Sequence, residues 1–194
     1  MPERCSESAG QAALGLLLTR YSVSARHLTE PGPSDDDIWT MALAALRAPD
    51  RNKLVPFRFA VARGEGLMRL AALFEGYARR KGKPAEEVQR DRERATQAPV
   101  AIAVIARIDP GNPEVPAHEQ WACVGGAISN ALTALHFMGY AAKVVSGARA
   151  ADPAIAGAYC GENEQLVGWI VAGTPKGPVK PRGEFDPAGI LKPF

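Results

Sequence analysis

The residues in this sequence best suited to chemistry are basic side chains placed where secondary elements end. Arg20 closes an apolar helical run beside Ser22, Arg47 closes a second such run, and Arg51 follows Pro49-Asp50. Lys180 and Arg182 stand in the C-terminal tail. Arginine presents a planar fork of N–H donors that matches the oxygens of a phosphate, and a serine hydroxyl adds a further bond. The bland reading of each is a surface charge, or a cation at a helix C-terminus where the dipole favours it. There is no G-x-S-x-G, no P-loop and no G-x-G-x-x-G, since Gly64-Glu65-Gly66 lacks the third glycine. His27, His118 and His136 lie far apart, and Cys5, Cys123 and Cys160 lack metal-ligand spacing.

Helices and strands in alternation must position these residues. Residues 9–20 carry apolar side chains at helical spacing, and a loop through Pro31-Gly32-Pro33 follows. Ser34 is a good N-cap for a second helix, with Asp35, Asp36 and Asp37 in its first turn. That helix ends before Ala48-Pro49, because the residue before proline is pushed out of helical geometry. The run 57–63 alternates as a half-buried strand, 64–82 is an amphipathic helix, and Pro84 opens a charged surface helix. Residues 99–108 form a β-branched run expected to be a fully buried strand. From Trp121 to Met138 the chain is apolar nearly all the way round, which predicts a helix buried on every side, covered by the rest of the chain or by a second copy. Gly125-Gly126 costs about 1 kcal/mol per glycine in helix propensity; close backbone approach by another element offsets this. A strand at 140–145, a short helix capped by Asp152 and a buried strand at 165–175 complete the pattern. The reading is one α/β or α+β domain over residues 1–194, with 176–194 a Pro- and Gly-rich tail.

Composition narrows the function. With 194 residues and 46% hydrophobic content the chain builds an ordinary core. A net charge of +2, spread thinly, argues against nucleic acid as the partner. The apolar helix is too short and too interrupted for a membrane span. Three cysteines without a framework fit a reducing cytoplasm, and the first residues show no apolar h-region of a signal peptide.

Several short motifs, in order, resemble the FMN-dependent nitroreductase family, and its small single-domain branch in particular. Arg20-Tyr21-Ser22-Val23 resembles the family's Arg-Arg-Ser element, and Glu30-Pro31-Gly32-Pro33 the turn after it. Arg47-Ala48-Pro49-Asp50-Arg51, then Val55-Pro56-Phe57-Arg58-Phe59, resembles Ala-Pro-Asp-His followed by Gln-Pro-Trp-x-Phe. Ala98-Pro99, Val115-Pro116 with Glu119-Gln120, Ser146-Gly147 and Gly173-Thr174-Pro175 complete the match, from about Leu14 to Pro175.

The resemblance implies an α+β fold with a central mixed sheet of four to five strands, a long buried central helix, and a homodimer with FMN at the subunit interface. It implies that NAD(P)H reduces the flavin and leaves, and that a small nitroaromatic or quinone acceptor is then reduced, a ping-pong scheme in which the flavin carries the chemistry. By position, Arg20, Tyr21 and Ser22 would hold the phosphate end. Arg47 and Arg51 would flank the ring and ribityl chain, from the partner copy, and Val144, Val145 and Ser146 would line the site. The chain departs from the pattern at Tyr21, Arg51, Val55 and Phe57. It departs most at Val145, where members of the branch often carry an arginine as a second phosphate ligand; Lys180 or Arg182 are the available substitutes. The alternative these departures motivate is a non-catalytic dimeric flavin- or ligand-binding relative.

Overall fold

The computed structural model describes residues 7–179, 183 and 186–193. Its centre is β3 (Val100–Ala106), buried at every position. It pairs with β2 (Phe57–Ala62) on one side and β5 (Gln165–Pro175) on the other; β4 (Ala141–Val145) and the two-residue β1 (Leu28–Thr29) also pair with β5. Every ladder is antiparallel, so the mixed character expected of the sheet is confined to one parallel bridge, Ser22 to Ala142.

A continuous apolar strand needs cover on both faces, and the helices supply it. Val100, Ile102, Val104 and Ala106 pack with Met41 and Ala45 of α2 (Asp35–Ala45) and with Cys123, Val124, Ala127, Ala131 and Leu135 of α5 (Ala117–Phe137). Ala101, Ala103 and Ile105 pack on the other face with Leu67, Leu70 and Phe74 of α3 (Glu65–Arg80) and Ile155 of α6 (Pro153–Gly157). The charged helix α4 (Ala85–Arg94) lies against α3. Ser34 closes a capping box on α2: its hydroxyl accepts the Asp37 N–H at 3.1 Å and the Asp37 carboxylate accepts the Ser34 N–H at 2.8 Å.

Two helices leave apolar side chains uncovered, and for one of them this departs from the sequence expectation. α5 starts at Ala117 and is buried along one side, while Trp121, Ala122, Gly125, Ser129 and Phe137 are exposed. Burial all round was expected; in one chain, the sheet and α2 cover only the side that faces them. A Cβ at Gly126 would meet Ala48 Cβ at 3.2 Å, whereas Gly125 has nothing within 4 Å, so the close approach expected at both glycines exists at Gly126 alone. The apolar helix α1 (Glu7–Thr19) is exposed almost throughout, with Leu18 at 76%. No helix among the described residues is long and apolar enough to cross a membrane. In the tail, Asp186 caps a single turn at Pro187–Gly189, while Lys180 and Arg182 lie outside the described residues.

Candidate functional site

Residues 20–24 leave α1 and run beside β4, with the Val23 N–H donating to the Ala142 carbonyl at 3.4 Å. With the segment after β5 they bound a groove of about 480 Å³, whose polar lining is Tyr21, Ser22, Ser24, Arg26, His27 and Lys176, without a carboxylate. The Nη1 atom of Arg20, one residue before that lining, is buried and has no hydrogen-bond partner among the described residues. A guanidinium N–H held out of water and unbonded costs stability unless an acceptor completes it.

A second cavity, a slot of about 220 Å³, opens on the α3 face of the sheet and meets the groove at Ser24. Alternation along β4 puts Lys143 and Val145 on this face, opposite Val171 and Trp169 of β5. Gly168 makes the β4–β5 contact possible: it sits at φ +152°, and a Cβ there would stand 2.5 Å from the Val145 carbonyl oxygen and 2.9 Å from Ser146 Cβ. Phe74, Arg94, Gln97, Ser146 and Arg149 supply further walls of the slot.

A buried carboxylate organises the far wall. Asp91, 1% exposed, accepts from Lys83 at 2.8 Å, from Arg94 at 2.6 Å and from Arg149. Burial pushes its carboxyl up, but the hydrogen bonds from Lys83 and Arg149 outweigh that and hold it below the ordinary carboxylate range. The Arg149 guanidinium also lies 5.2 Å from the Phe74 ring centre and 5.8 Å from that of Tyr77, and its Nε is buried without a partner.

The candidate residues thus separate into groups. Tyr21 and Ser22 line the groove next to Arg20; Val145 and Ser146 line the slot; Ser24 joins the two. Val144 points the other way, into the core on the α5 side. Arg47 and Arg51 stand elsewhere. Arg51 donates to Glu119 at 3.3 Å near the start of α5, while Thr19, just before Arg20, meets His136 at 3.2 Å near its end. The helix between Glu119 and His136 is about 25 Å long at 1.5 Å per residue, so one chain cannot bring Arg20 and Arg51 to the same small group. Cys123 is no nucleophile, since burial pushes its thiol up to about 11. No group of His, Cys, Asp and Glu among the described residues could hold a metal ion.

Sequence reasoning missed Ser24, Arg94, Gln97, Lys143 and Arg149. A usable signal existed for Lys143, a charged residue in the middle of the otherwise apolar strand AAKVV. None existed for Arg94 and Arg149, which lie far apart in the chain and meet only through Asp91.

Residues 17–174 match the sequence profile of the Nitroreductase family. YdjA of Escherichia coli K12, provisionally named an NAD(P)H nitroreductase, is 33% identical over 165 residues, covering 84% of this chain and 88% of its own. A nitroreductase-like family protein from Bacillus cereus superposes with a TM-score of 0.78 at 18% identity, covering 100% of this chain and 98% of its own. An FMN-dependent nitroreductase from Clostridium difficile gives 0.67 at 17% identity, covering 92% and 98%. With the matched profile spanning most of the chain, the groove, the slot and the sheet that carries them are those of a member of the nitroreductase family.

Proposed function

We propose that the protein is an FMN-dependent NAD(P)H oxidoreductase that reduces nitroaromatic or quinone acceptors by a ping-pong mechanism, with the cofactor held between two copies of the chain. The observation that carries this reading is the buried, unpartnered Nη1 of Arg20, in the residue that precedes the Tyr21-Ser22 lining of a groove free of carboxylates. A phosphate monoester there gives the guanidinium its missing acceptor and the Ser22 hydroxyl a second bond. Tyr21 and Ser24 extend the polar lining, and Val145 and Ser146 wall the slot that meets the groove at Ser24. Val144 acts indirectly, anchoring β4 to the core beneath. Arg47 and Arg51 reach the cofactor from the partner copy: Arg51 stands by Glu119 at the opposite end of α5 from Arg20, and Arg47 precedes Ala48, which packs on Gly126 midway along that helix. FMN, when bound, supplies two-electron chemistry, taking hydride from NAD(P)H and passing two electrons to an acceptor. Reduction of a nitro group to nitroso takes those electrons with two protons and releases water. The protein's part is to position both substrates in turn at one open site.

The purified protein is expected to be yellow, or to become so on addition of FMN, and to bleach under NAD(P)H without oxygen. Colourless protein that takes up no FMN overturns the reading. One observation favours a second reading, a flavin-binding relative without turnover: Val145 presents an apolar side chain to the slot where a cation was expected. Flavin that binds but stays oxidised under NAD(P)H selects that alternative.

A further inference from the structure

We propose that Lys143 is a cofactor-binding residue of this chain, the cation that meets an anionic group of FMN, either its phosphate or its ring once reduced. The inference rests on the oxidoreductase reading and deepens it: the slot belongs to the cofactor, and Lys143 supplies from within the sheet the charge that the sequence leaves open at Val145.

Bonding is the first observation. Lys143, Arg94 and Arg149 line the slot and no carboxylate does. Arg94 and Arg149 are tied to Asp91, and Arg149 is fixed further over the rings of Phe74 and Tyr77. Lys143 alone of the three makes no hydrogen bond or ion pair among the described residues, although it is half-buried. A half-buried ammonium is poorly placed until an anion meets it. Register is the second. Lys143 and Val145 stand two residues apart on β4, so their side chains leave the same face about 7 Å apart. A charge at 143 in place of one at 145 therefore stays within the slot. It also moves toward the segment that carries Ser22 and Ser24: Ser22 bridges Ala142, the residue before Lys143, and the Val23 N–H donates to the Ala142 carbonyl at 3.4 Å. Local composition is the third. The other residues of β4 are Ala141, Ala142, Val144 and Val145. Lysine is disfavoured in the middle of a strand, and here the fold gives its ammonium no partner in return.

Fluorescence titration of flavin-free protein with FMN and with riboflavin, then potentiometry of the loaded protein, tests this. Lys143→Met keeps the aliphatic stem and removes the charge. If the ammonium meets the phosphate, FMN should bind about tenfold or more weakly and riboflavin as before, the scale of one charge-assisted bond. If it meets the reduced ring, the two-electron potential of the bound flavin should fall by about 30 mV or more, which is tenfold in the affinity of the reduced form relative to the oxidised. Lys143→Arg should keep the wild-type value of whichever quantity moves. Adding Val145→Arg to Lys143→Met should recover most of the loss, because it returns a cation to the same face. The proposal is overturned if Lys143→Met alters neither quantity, if Val145→Arg recovers nothing, or if FMN and riboflavin weaken equally at unchanged potential, the mark of a residue that serves the fold alone. The oxidoreductase reading fails separately, as flavin that binds but stays oxidised under NAD(P)H, and that result leaves the comparison of FMN with riboflavin decisive for Lys143.

Discussion

Arg20 holds one guanidinium nitrogen away from water with nothing to bond. Its replacement by alanine is expected to weaken FMN binding about tenfold to a hundredfold, the worth of a charge-assisted hydrogen bond of roughly 1.5–3 kcal/mol. Flavin fluorescence titration measures it. Riboflavin, which lacks the phosphate, should bind both forms alike. A second residue controls stability instead. Glu164 accepts from Arg58 Nε at 2.7 Å and from the Gly161 N–H at 2.9 Å, and pairs with Arg107 at 3.0 Å. The Arg58 hydrogen bonds foremost, then that of Gly161, bring its carboxyl from an ordinary 4.5 down to about 2. A depressed acid stabilises the fold above its unfolded value and loses that contribution as it protonates. Glu164→Gln should therefore cost roughly 2 kcal/mol at pH 7, and the gap from wild type should narrow as pH falls from about 4.5 toward 2. Urea unfolding at pH 7 and pH 3 checks both. The sequence singles out Arg20 and Ser22 as candidates because an arginine at a helix end two residues before a serine is a local pattern. Lys143 became meaningful only once β4 had assigned it a face.

Helices and strands emerged close to their expected bounds, because a period of 3.6 or 2 in apolar residues records which side of an element is dry. That signal does not say what makes it dry. α1 and the outer side of α5 carry apolar residues that their own chain leaves exposed, so their sequences overstate burial within one chain. Close backbone packing is equally hard to read: Gly125 and Gly126 are indistinguishable as letters, yet only Gly126 touches another element. Gly168 was passed over inside a strand, although it allows β4 to deliver Val145 and Ser146 to the slot. Gly168→Ala combines an unfavourable backbone angle with overlap against the Val145 carbonyl, and should destabilise the protein by about 2–4 kcal/mol. A fall in melting temperature with displaced amide resonances for Val145 and Ser146 is the expected signature. Unchanged stability would mean that β4 and β5 separate more easily than their register suggests.

At the scale of the whole molecule, exposed leucines on α1, Trp39 and Leu43 on α2, Leu46 just after it, and Trp121 and Phe137 on α5 are the apolar side chains that the proposed dimer would cover. Light scattering should return twice the 20.6 kDa chain mass. Leu18→Arg, at a position 76% exposed in one chain, should shift that toward a single chain with its fold intact and its flavin lost together. A monomeric wild-type protein that keeps its flavin contradicts the composite site. The length of α5 has a genetic consequence. If Arg20 and Arg51 serve one cofactor only across the interface, lesions in the two are complementary. Protein homogeneous for Arg20→Ala, or for Arg51→Ala, damages both sites of its dimer. A mixed dimer gathers both lesions into one site and leaves the other whole. Mixed dimers isolated after co-expressing the two defective alleles should therefore bind full-affinity flavin at half the wild-type stoichiometry, in a molecule neither of whose chains works with its own kind.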